Sequence, residues 1–155
     1  MPEAKPPLMT AEEITAFLGR EFPQIHEGGK LFTVEAATHG AVRLRMAYHQ
    51  RLLRPGGTIS GPSMFALADV AMYVAVLSAI GPRALAVTTT LNINFLRRPE
   101  ARDMIAEARL LKLGKRLAVG EIALHSDGQE ELAAHATATY SIPDADGAGN
   151  RSSVK

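Results

Sequence analysis

The sequence contains no cysteine among its 155 residues, which excludes disulfides, thiolate metal ligands and a cysteine nucleophile. It also has no marked excess of either charge, since 17 lysines and arginines balance 16 aspartates and glutamates. Such a chain does not attract nucleic acid as a whole, so any basic site must be local. The opening segment MPEAKPPLMTAEE lacks the apolar core of a secretory signal. We therefore expect a cytoplasmic protein without nucleic-acid partners.

Common catalytic motifs are also missing. The segment GTISG is not a Gly-x-Ser-x-Gly nucleophile elbow, because Ser60 stands one position late and no hydrolase triad order surrounds it. The sequence has no Gly-x-x-x-x-Gly-Lys segment, which excludes a nucleotide P-loop. Zinc-ligand spacing is absent from the five histidines, which are His26, His39, His49, His125 and His135. We therefore expect no metal site.

The length fits one domain with a hydrophobic core. Residues 1–9 are rich in proline and predict a flexible N-terminus, whereas the polar stretch 143–155 predicts a disordered C-terminal tail. The single domain would then span residues 10–142. It begins with a short helix, since Thr10 and Glu13 have the spacing of a capping box. The apolar stripe of this helix consists of Ile14, Phe17 and Leu18.

Six further segments have the composition or alternation of strands. They are residues 32–38, 41–48, 84–96, 101–114, 116–128 and 129–143. The first two flank His39 and Gly40 and predict an antiparallel hairpin. Strict alternation in the third segment predicts one apolar face and one polar face. The apolar face would carry Val87, Thr89, Leu91, Ile93 and Phe95, and the polar face Thr88, Thr90, Asn92 and Asn94.

Between the second and third of these segments, a glycine-rich turn leads into a long apolar stretch whose only charge is Asp69. Residues 62–80 nearly match the length of a membrane span. A membrane span fits poorly, because an aspartate near its middle would cost roughly 2.5–3.5 kcal/mol on insertion scales. Small side chains would let a sheet approach the helix closely, at Ala66, Ala68, Ala71, Ala75 and Ala79. The pattern therefore predicts a buried helix, because a helix that is apolar on every side belongs in the interior of a fold.

One helix wrapped by an antiparallel sheet in this order resembles the hotdog fold, an α+β architecture. The segments GGTISGPSMFALAD and VTTTLNINFLRRP resemble the acyl-CoA thioesterases of the phenylacetyl-CoA and 4-hydroxybenzoyl-CoA type. In the phenylacetyl-CoA branch an asparagine precedes Gly-x-x-His-Gly-Gly, and an aspartate follows the first glycine of the pair by eight residues. Gly57 matches the first glycine, Gly61 the first of the pair and Asp69 the aspartate. The resemblance covers residues 30–142.

Three positions depart from the family pattern. Ser60 stands in place of the histidine, Pro62 in place of the second glycine, and Arg54 where an asparagine is common. Proline at a helix start removes only an N–H that lacks an intrahelical acceptor, and Gly61 keeps its own N–H. The resemblance makes Arg54, Gly57, Ser60 and Pro62 candidate substrate-binding residues. Alternatively, Ser60 is only an N-cap and Gly57 only part of a turn.

The resemblance implies catalytic roles for three residues. The Gly61 N–H would polarise the thioester carbonyl at a helix start, where the helix dipole favours negative charge. Asp69 would act as general base or as nucleophile, and Thr88 would hold the attacking water. Judged from the residues alone, Asp69 could instead be a structural hydrogen-bonding group and Thr88 an ordinary strand residue.

Basic residues near strand ends are candidates for binding the phosphates of coenzyme A. Lys115 and Arg116 follow Gly114, and basic residues near this loop resemble the family's contacts with coenzyme A. The remaining candidates are Arg97, Arg98 and Lys112. The alternative is that these charges are simply solvated.

The spacing between Gly61 and Asp69 predicts an assembly. Eight residues on a helix span about 12 Å, whereas a donor and a base must each lie within about 3 Å of a reacting group. We therefore expect Asp69 to work with Gly61 of a second, antiparallel chain. The resemblance implies the same arrangement, which is a homodimer with composite sites, alone or within a tetramer.

Together these observations predict an acyl-CoA thioesterase acting on an aromatic or medium-length acyl group. It would need no cofactor, coenzyme A being part of the substrate, and no membrane partner. A hotdog protein that binds an acyl-CoA or related ligand without turnover is the alternative, favoured by Arg54, Ser60 and Pro62. The hydratase branch of the fold fits less well, because its His–Asp arrangement is missing near this helix.

Overall fold

The computed structural model describes residues 4–144. The first helix, α1, spans Ala11–Glu21. Its predicted capping box is confirmed, since Glu13 N–H donates to Thr10 Oγ1 at 3.2 Å and Thr10 N–H donates to Glu13 Oε1 at 3.1 Å. These bonds pair N–H groups that a helix start leaves without intrahelical acceptors. The predicted apolar stripe is buried, at Ile14, Phe17 and Leu18.

Eight strands follow α1, with short 3-10 helices at Pro23–His26 and Gln50–Leu52. They are β1 (Phe32–Thr38), β2 (Ala41–Met46), β3 (Leu53–Arg54), β4 (Thr58–Ile59), β5 (Val87–Phe95), β6 (Met104–Leu113), β7 (Leu117–Ser126) and β8 (Ala134–Ser141). Six of them form one antiparallel sheet in the order β1-β2-β6-β7-β8-β5, and β3 pairs with β4. β5 is therefore an edge strand.

All six predicted strand segments contain a strand, and most of the strands are shorter than predicted. The last segment, predicted over 129–143, begins at Ala134. Its first residues instead belong to a turn, in which Gln129 N–H donates to Ser126 O at 3.0 Å. The predicted hairpin between β1 and β2 is confirmed, and Gly40 adopts a φ of 78° in its turn, a conformation that favours glycine.

The long apolar stretch forms a second helix, α2, which spans Gly61–Ile80. The sheet packs against it, and most of its side chains belong to the core. By length and composition α2 could cross a membrane, but 72% of its apolar window is buried inside the fold. This burial is typical of a core helix. The helix ends at Gly81, whose φ of 87° favours glycine.

The predicted buried helix is confirmed, although one stripe of α2 is left uncovered by the sheet. The uncovered residues, Pro62, Phe65, Ala66 and Asp69, recur at helical spacing. Phe65 is 42% exposed, and Asp69 is half-buried. The reason is geometrical, because the six strands of the sheet contact α2 without covering this stripe.

The predicted faces of β5 are wrong at its start. A β-bulge lies between Thr88 and Thr90, and it makes Thr89 an extra residue in the ladder with β8. The alternation reverses at this point, so Thr88 lies on the inner face with Leu91 instead of on the opposite face. Val87, predicted for the apolar face, is 56% exposed.

The segment before α1 contacts the body of the protein. Residues 4–9 belong to the predicted flexible N-terminus, yet Leu8 N–H donates to Ser78 O of α2 at 2.8 Å. Contacts with the core helix therefore begin ahead of the predicted domain start. Residues 1–3 and 145–155, which include most of the predicted C-terminal tail, lie outside the described residues.

Candidate active site

The start of α2 forms one wall of a cavity of about 590 Å³. Gly61 lines this cavity and is the first residue of the helix, where its N–H has no intrahelical acceptor. The second position, Pro62, has no N–H. At the third position, Ser63 N–H donates to Ser60 Oγ at 3.2 Å. Of these first three positions, only Gly61 therefore retains an N–H for a ligand.

The short β3–β4 hairpin contributes other predicted binding residues. Ser60 and Arg54 line the same cavity, and Ser60 also caps α2. Gly57 does not line it, because it lies in the turn, where its N–H donates to Arg54 O at 3.1 Å. Ser60 is therefore the N-cap of α2, and Gly57 is part of a turn. Substrate contacts of Ser60, Arg54 and Pro62, which also lines the cavity, stay predictions.

The cavity combines an aromatic wall with a cationic rim. The ring of Phe95, at the end of β5, packs against the helix start, and a Cβ added to Gly61 would lie 3.4 Å from this ring. Three arginines line the cavity, namely Arg54, Arg97 and Arg98. This end of the molecule can therefore attract an anionic ligand to the Gly61 N–H.

Asp69 lines a second cavity, of about 340 Å³. Thr88 Oγ1 donates to Asp69 Oδ1 at 2.6 Å, and Tyr140 Oη donates to the same oxygen at 2.8 Å. Tyr140 Oη also lies 3.0 Å from the backbone oxygen of Asp69. Hydrogen bonds to a charged acceptor are among the stronger ones in proteins, so the carboxylate is firmly held. A catalytic role for Asp69 stays a prediction.

Thr88 contacts Asp69 directly. The resemblance predicts that its hydroxyl holds a water, whereas the structure shows its O–H donated to the carboxylate. A hydroxyl oxygen keeps two lone pairs, so Thr88 can still accept a hydrogen bond from water. The water-holding role stays a prediction.

Tyr140 is not among the residues predicted for the site. A signal for it exists, since the inner face of β8 carries only alanines before this residue, at Ala134, Ala136 and Ala138. A tyrosine that ends a stripe of small buried residues must find a partner for its hydroxyl. This partner is Asp69, and the register between β5 and β8, which pairs Thr88 with Tyr140, is needed to identify it.

Both tyrosines near Asp69 stay protonated at neutral pH. Burial raises the pKa of the Tyr140 phenol, and the negative charge of Asp69 raises it further. Burial also raises the pKa of Tyr73, with a smaller contribution from Glu21. Tyr73 Oη donates to Ala84 O at 3.0 Å. Each phenol therefore acts as a hydrogen-bond donor.

Gly61 and Asp69 contact opposite ends of β5. Gly61 packs against Phe95 at the end of the strand, and Asp69 is hydrogen-bonded to Thr88 near its start. Thr88 and Phe95 are seven positions apart on the strand, a distance on the order of 20 Å. The structure of one chain therefore does not bring Gly61 and Asp69 to one carbonyl group.

The basic residues of the β6–β7 turn line neither cavity. The exposed cations here are Lys112, Lys115 and Arg116. Leu117 pairs with Ser141, which in turn pairs with Val87. The turn therefore lies at the same end of the sheet as Asp69 and opposite to the cavity at Gly61.

Within residues 4–144 no group of three or more histidine, aspartate or glutamate side chains could hold a metal ion. His135, predicted to lie on a strand face, is part of β8. Its Nε2 lies 3.3 Å from Glu121 Oε2 on the neighbouring strand. This pair is a contact between two strands of the sheet.

Comparison with known proteins identifies the family. The model of the thioesterase superfamily matches residues 56–133, a stretch that contains both Gly61 and Asp69. A protein of Saccharolobus solfataricus, named as a candidate esterase, is 31% identical over 135 residues, which cover 87% of this chain and 81% of that protein.

Solved structures give the same result. The crystal structure of a candidate thioesterase from Silicibacter sp. TM1040 is 47% identical, with a TM-score of 0.80, covering 92% of this chain and 97% of that one. The PaaI protein from the phenylacetic acid degradation operon of E. coli is 22% identical, with a TM-score of 0.70, covering 83% of this chain and 91% of that one, and shows likeness of fold alone. The predicted hotdog fold is confirmed.

Proposed function

The chain belongs to the thioesterase superfamily, and we propose that it hydrolyses an aromatic or medium-length acyl-CoA to the free acid and coenzyme A. The main support is the Asp69 carboxylate, which Thr88 holds at one oxygen beside an open cavity. A fixed carboxylate at a cavity suits attack on a thioester carbonyl. Water is the second reactant, no cofactor takes part, and the proposed location is the cytoplasm.

In the proposed reaction, water adds to the carbonyl carbon while Asp69 takes a proton from it. The carbonyl oxygen becomes an oxyanion, and the Gly61 N–H would donate to it from the positive end of α2. Collapse of this intermediate breaks the C–S bond, and the proton passes to the leaving thiolate. In the other route Asp69 attacks the carbon itself, and water then hydrolyses the mixed anhydride. Both routes need the carboxylate in the same place.

Because Gly61 and Asp69 contact opposite ends of β5, we propose that the active unit is a homodimer. β5 is an edge strand, so two copies can pair antiparallel about a two-fold axis. This pairing would set the Thr88 end of one strand beside the Phe95 end of the other. Asp69 of one chain would then meet Gly61 of its partner, and the uncovered stripe of α2, including Phe65, would be buried. Two dimers could associate further into a tetramer.

The same dimer would assemble two groups of cations. The three arginines that line the cavity at Gly61 of one chain would approach Lys115 and Arg116 of the other, which lie at the end of the sheet where β5 begins. Arginine can donate two parallel hydrogen bonds to a phosphate, and lysine acts as a point charge. We propose that these cations bind the phosphates of coenzyme A, with the acyl group directed towards Asp69.

A second function, binding of an acyl-CoA or related ligand without turnover, is favoured by two observations. Ser60 replaces the family's histidine, and its Oγ accepts the N-cap hydrogen bond. Pro62 removes an N–H from the helix start, which leaves fewer donors for an oxyanion. Neither function involves nucleic acid or a membrane.

Thiol release from a panel of acyl-CoAs, followed with a chromogenic thiol reagent, separates the two functions. Hydrolysis is expected with aromatic or medium-length acyl groups. Calorimetry with a thioether analogue, which cannot be hydrolysed, measures binding alone. Binding without thiol release would support the second function, and the absence of both would contradict both.

A further inference from the structure

A buried tyrosine adjoins the candidate base. Tyr140, at 3% exposure, places its hydroxyl 2.8 Å from Asp69 Oδ1. Thr88 Oγ1, on the paired strand β5, donates to the same oxygen. The second carboxylate oxygen, Oδ2, accepts no hydrogen bond from any residue between 4 and 144. Because that part of the chain contains no buried side-chain oxygen without a partner, Oδ2 is not buried.

Strand pairing explains why two hydroxyls reach one oxygen. Thr88 and Tyr140 are direct partners between β5 and β8, and the bulge after Thr88 turns its side chain to the inner face. Side chains of directly paired residues on one face lie about 5 Å apart. A carboxylate on the helix above can therefore accept from both. Without the bulge, the local alternation would not place Thr88 and Leu91 on the same face.

The position of Tyr140 is fixed by packing. Its ring stacks on Tyr73 with ring centroids 6.2 Å apart and an interplanar angle of 27°. Tyr73 is anchored by its own hydrogen bond to Ala84 O and by an edge contact with Phe22. A hydroxyl on so constrained a ring has little freedom to leave the carboxylate, which favours a positioning role.

We propose that Tyr140 is a positioning residue for the hydrolysis: with Thr88 it holds Oδ1 of Asp69 and leaves Oδ2 as the oxygen that meets the water or the thioester. This proposal rests on the proposed function. Donors to Oδ1 also favour the charged carboxylate over the protonated acid. Tyr140 therefore orients the base, and the loss of its hydroxyl is expected to change the pH dependence of the activity.

Three titratable side chains line the cavity with Asp69. They are Glu21 at the end of α1, Tyr73 on α2 and Tyr140 on β8. Glu21 is the other carboxylate among them. It is unchanged in every variant below, so a difference between variants reports the altered hydroxyl.

The test compares Tyr140→Phe with Tyr73→Phe. Both remove one hydroxyl from the same aromatic stack, but the second leaves both donors to Asp69 in place. Tyr140→Phe is expected to lower kcat by about tenfold, the scale of one hydrogen bond to a charged group. It should leave KM nearly unchanged and move the acid limb of the kcat/KM profile to higher pH. Tyr73→Phe should leave that limb at the wild-type pH.

A merely structural role gives a different result. In that case both variants would lower the melting temperature, and neither would shift the acid limb, which would overturn the proposal. If Tyr140→Phe does not fold, a ring-fluorinated tyrosine at position 140 replaces it. The fluorinated phenol is a stronger donor and should move the limb to lower pH. An unmoved limb with this residue would also overturn the proposal.

A readout without substrate separates this proposal from the proposed function. Carboxyl-carbon NMR follows the titration of Asp69, whose resonance is the one lost in Asp69→Asn. The midpoint is expected to change in Tyr140→Phe, because this variant loses one donor to the carboxylate. If no acyl-CoA is hydrolysed but the midpoint changes, the proposed function fails and Tyr140 still controls the carboxylate. An unchanged midpoint would overturn the role of Tyr140 whatever the activity.

Discussion

Thr88 Oγ1 lies 2.6 Å from Asp69 Oδ1, so the start of β5 is hydrogen-bonded to the middle of α2. The bond joins the edge strand β5 to the core helix. It leaves Asp69 half-buried but oriented. A positioned carboxylate with access to a cavity has the properties of a general base or nucleophile.

Replacing this carboxylate gives the first prediction. Asp69→Asn keeps the size of the side chain and should fold normally, with turnover lowered by about 10²–10⁴-fold, the usual scale for an acid–base group. Turnover is measured by thiol release and folding by circular dichroism. Asp144→Asn, at an exposed position, is the control and should match the wild type. Unchanged turnover in folded Asp69→Asn would remove Asp69 from the mechanism.

Much of the fold could be predicted because its signals are local. The capping box of Thr10 and Glu13 depends on residues three apart, and the β1–β2 hairpin on one short turn around Gly40. The extent of α2 follows from its composition and from Gly81. The spacing of Gly61 and Asp69 on that helix likewise indicated that one chain does not bring both to one carbonyl.

The rest of the site depends on contacts distant in sequence. Alternation alone put Thr88 on the wrong face of β5, because a bulge is a property of two paired strands. Tyr140 lies 71 residues from Asp69, and no motif links them. The uncovered stripe of α2 was missed because composition does not tell how far a sheet curves around a helix.

An ion cluster on the outer face of the sheet gives a pH-dependent prediction. Arg45 lies within 3.1 Å of Glu35, Asp103 and Asp127. Hydrogen bonds from Arg45 lower the pKa of Glu35 and of Asp127. A carboxylate with a lowered pKa stabilises the folded state above its unfolded pKa, and this contribution is lost as the pH falls through the folded value. Arg45→Met should therefore destabilise the protein at neutral pH and much less in acid.

Urea unfolding at about pH 7 and about pH 3 checks this prediction, since the lowered pKa values lie below the ordinary range near 4. Arg20→Met is the control, because Arg20 forms an exposed ion pair with the neighbouring Glu21, at 3.7 Å. Its effect should be small at both pH values. If Arg45→Met loses as much unfolding free energy in acid as at neutral pH, the stabilisation by these ion pairs does not depend on pH, and the prediction is contradicted.

Close packing between sheet and helix gives a prediction about stability. A Cβ added to Gly120 of β7 would lie 2.7 Å from Met72 Sδ on α2 and 2.9 Å from the backbone oxygen of Arg109. The backbone of the neighbouring strand cannot move aside easily, so Gly120→Ala should destabilise the fold by about 1–3 kcal/mol. Gly19→Ala is the matched control, since a Cβ added to Gly19 of α1 would have no packing neighbour within 4 Å among residues 4–144, and the variant should be neutral or stabilising. Urea denaturation measures the change in the free energy of unfolding, which should be negative for Gly120→Ala and zero or positive for Gly19→Ala.

The basic turn between β6 and β7 is tested by kinetics. If Lys115 and Arg116 bind phosphates of coenzyme A, Lys115→Ala and Arg116→Ala should raise KM more than they lower kcat. The difference in KM between each variant and the wild type should shrink as the salt concentration rises, because salt screens the charges that the wild type uses. Lys30→Ala, another exposed lysine that lines neither cavity, is the control. Kinetics equal to those of the wild type at low salt would favour solvated charges.

Subunit complementation tests the composite site. Asp69→Asn removes the base, and Gly61→Pro removes the backbone N–H at a helix position that tolerates proline. Each variant alone should be inactive, whereas Gly61→Ala, which keeps the N–H, should retain activity. After subunit exchange, each mixed dimer would contain one site with both groups intact and one with neither. Activity should then return towards half the wild-type value per mixed dimer, because Asp69 of one chain meets Gly61 of the other. A mixture that exchanges subunits and stays inactive would show that each site is built within one chain.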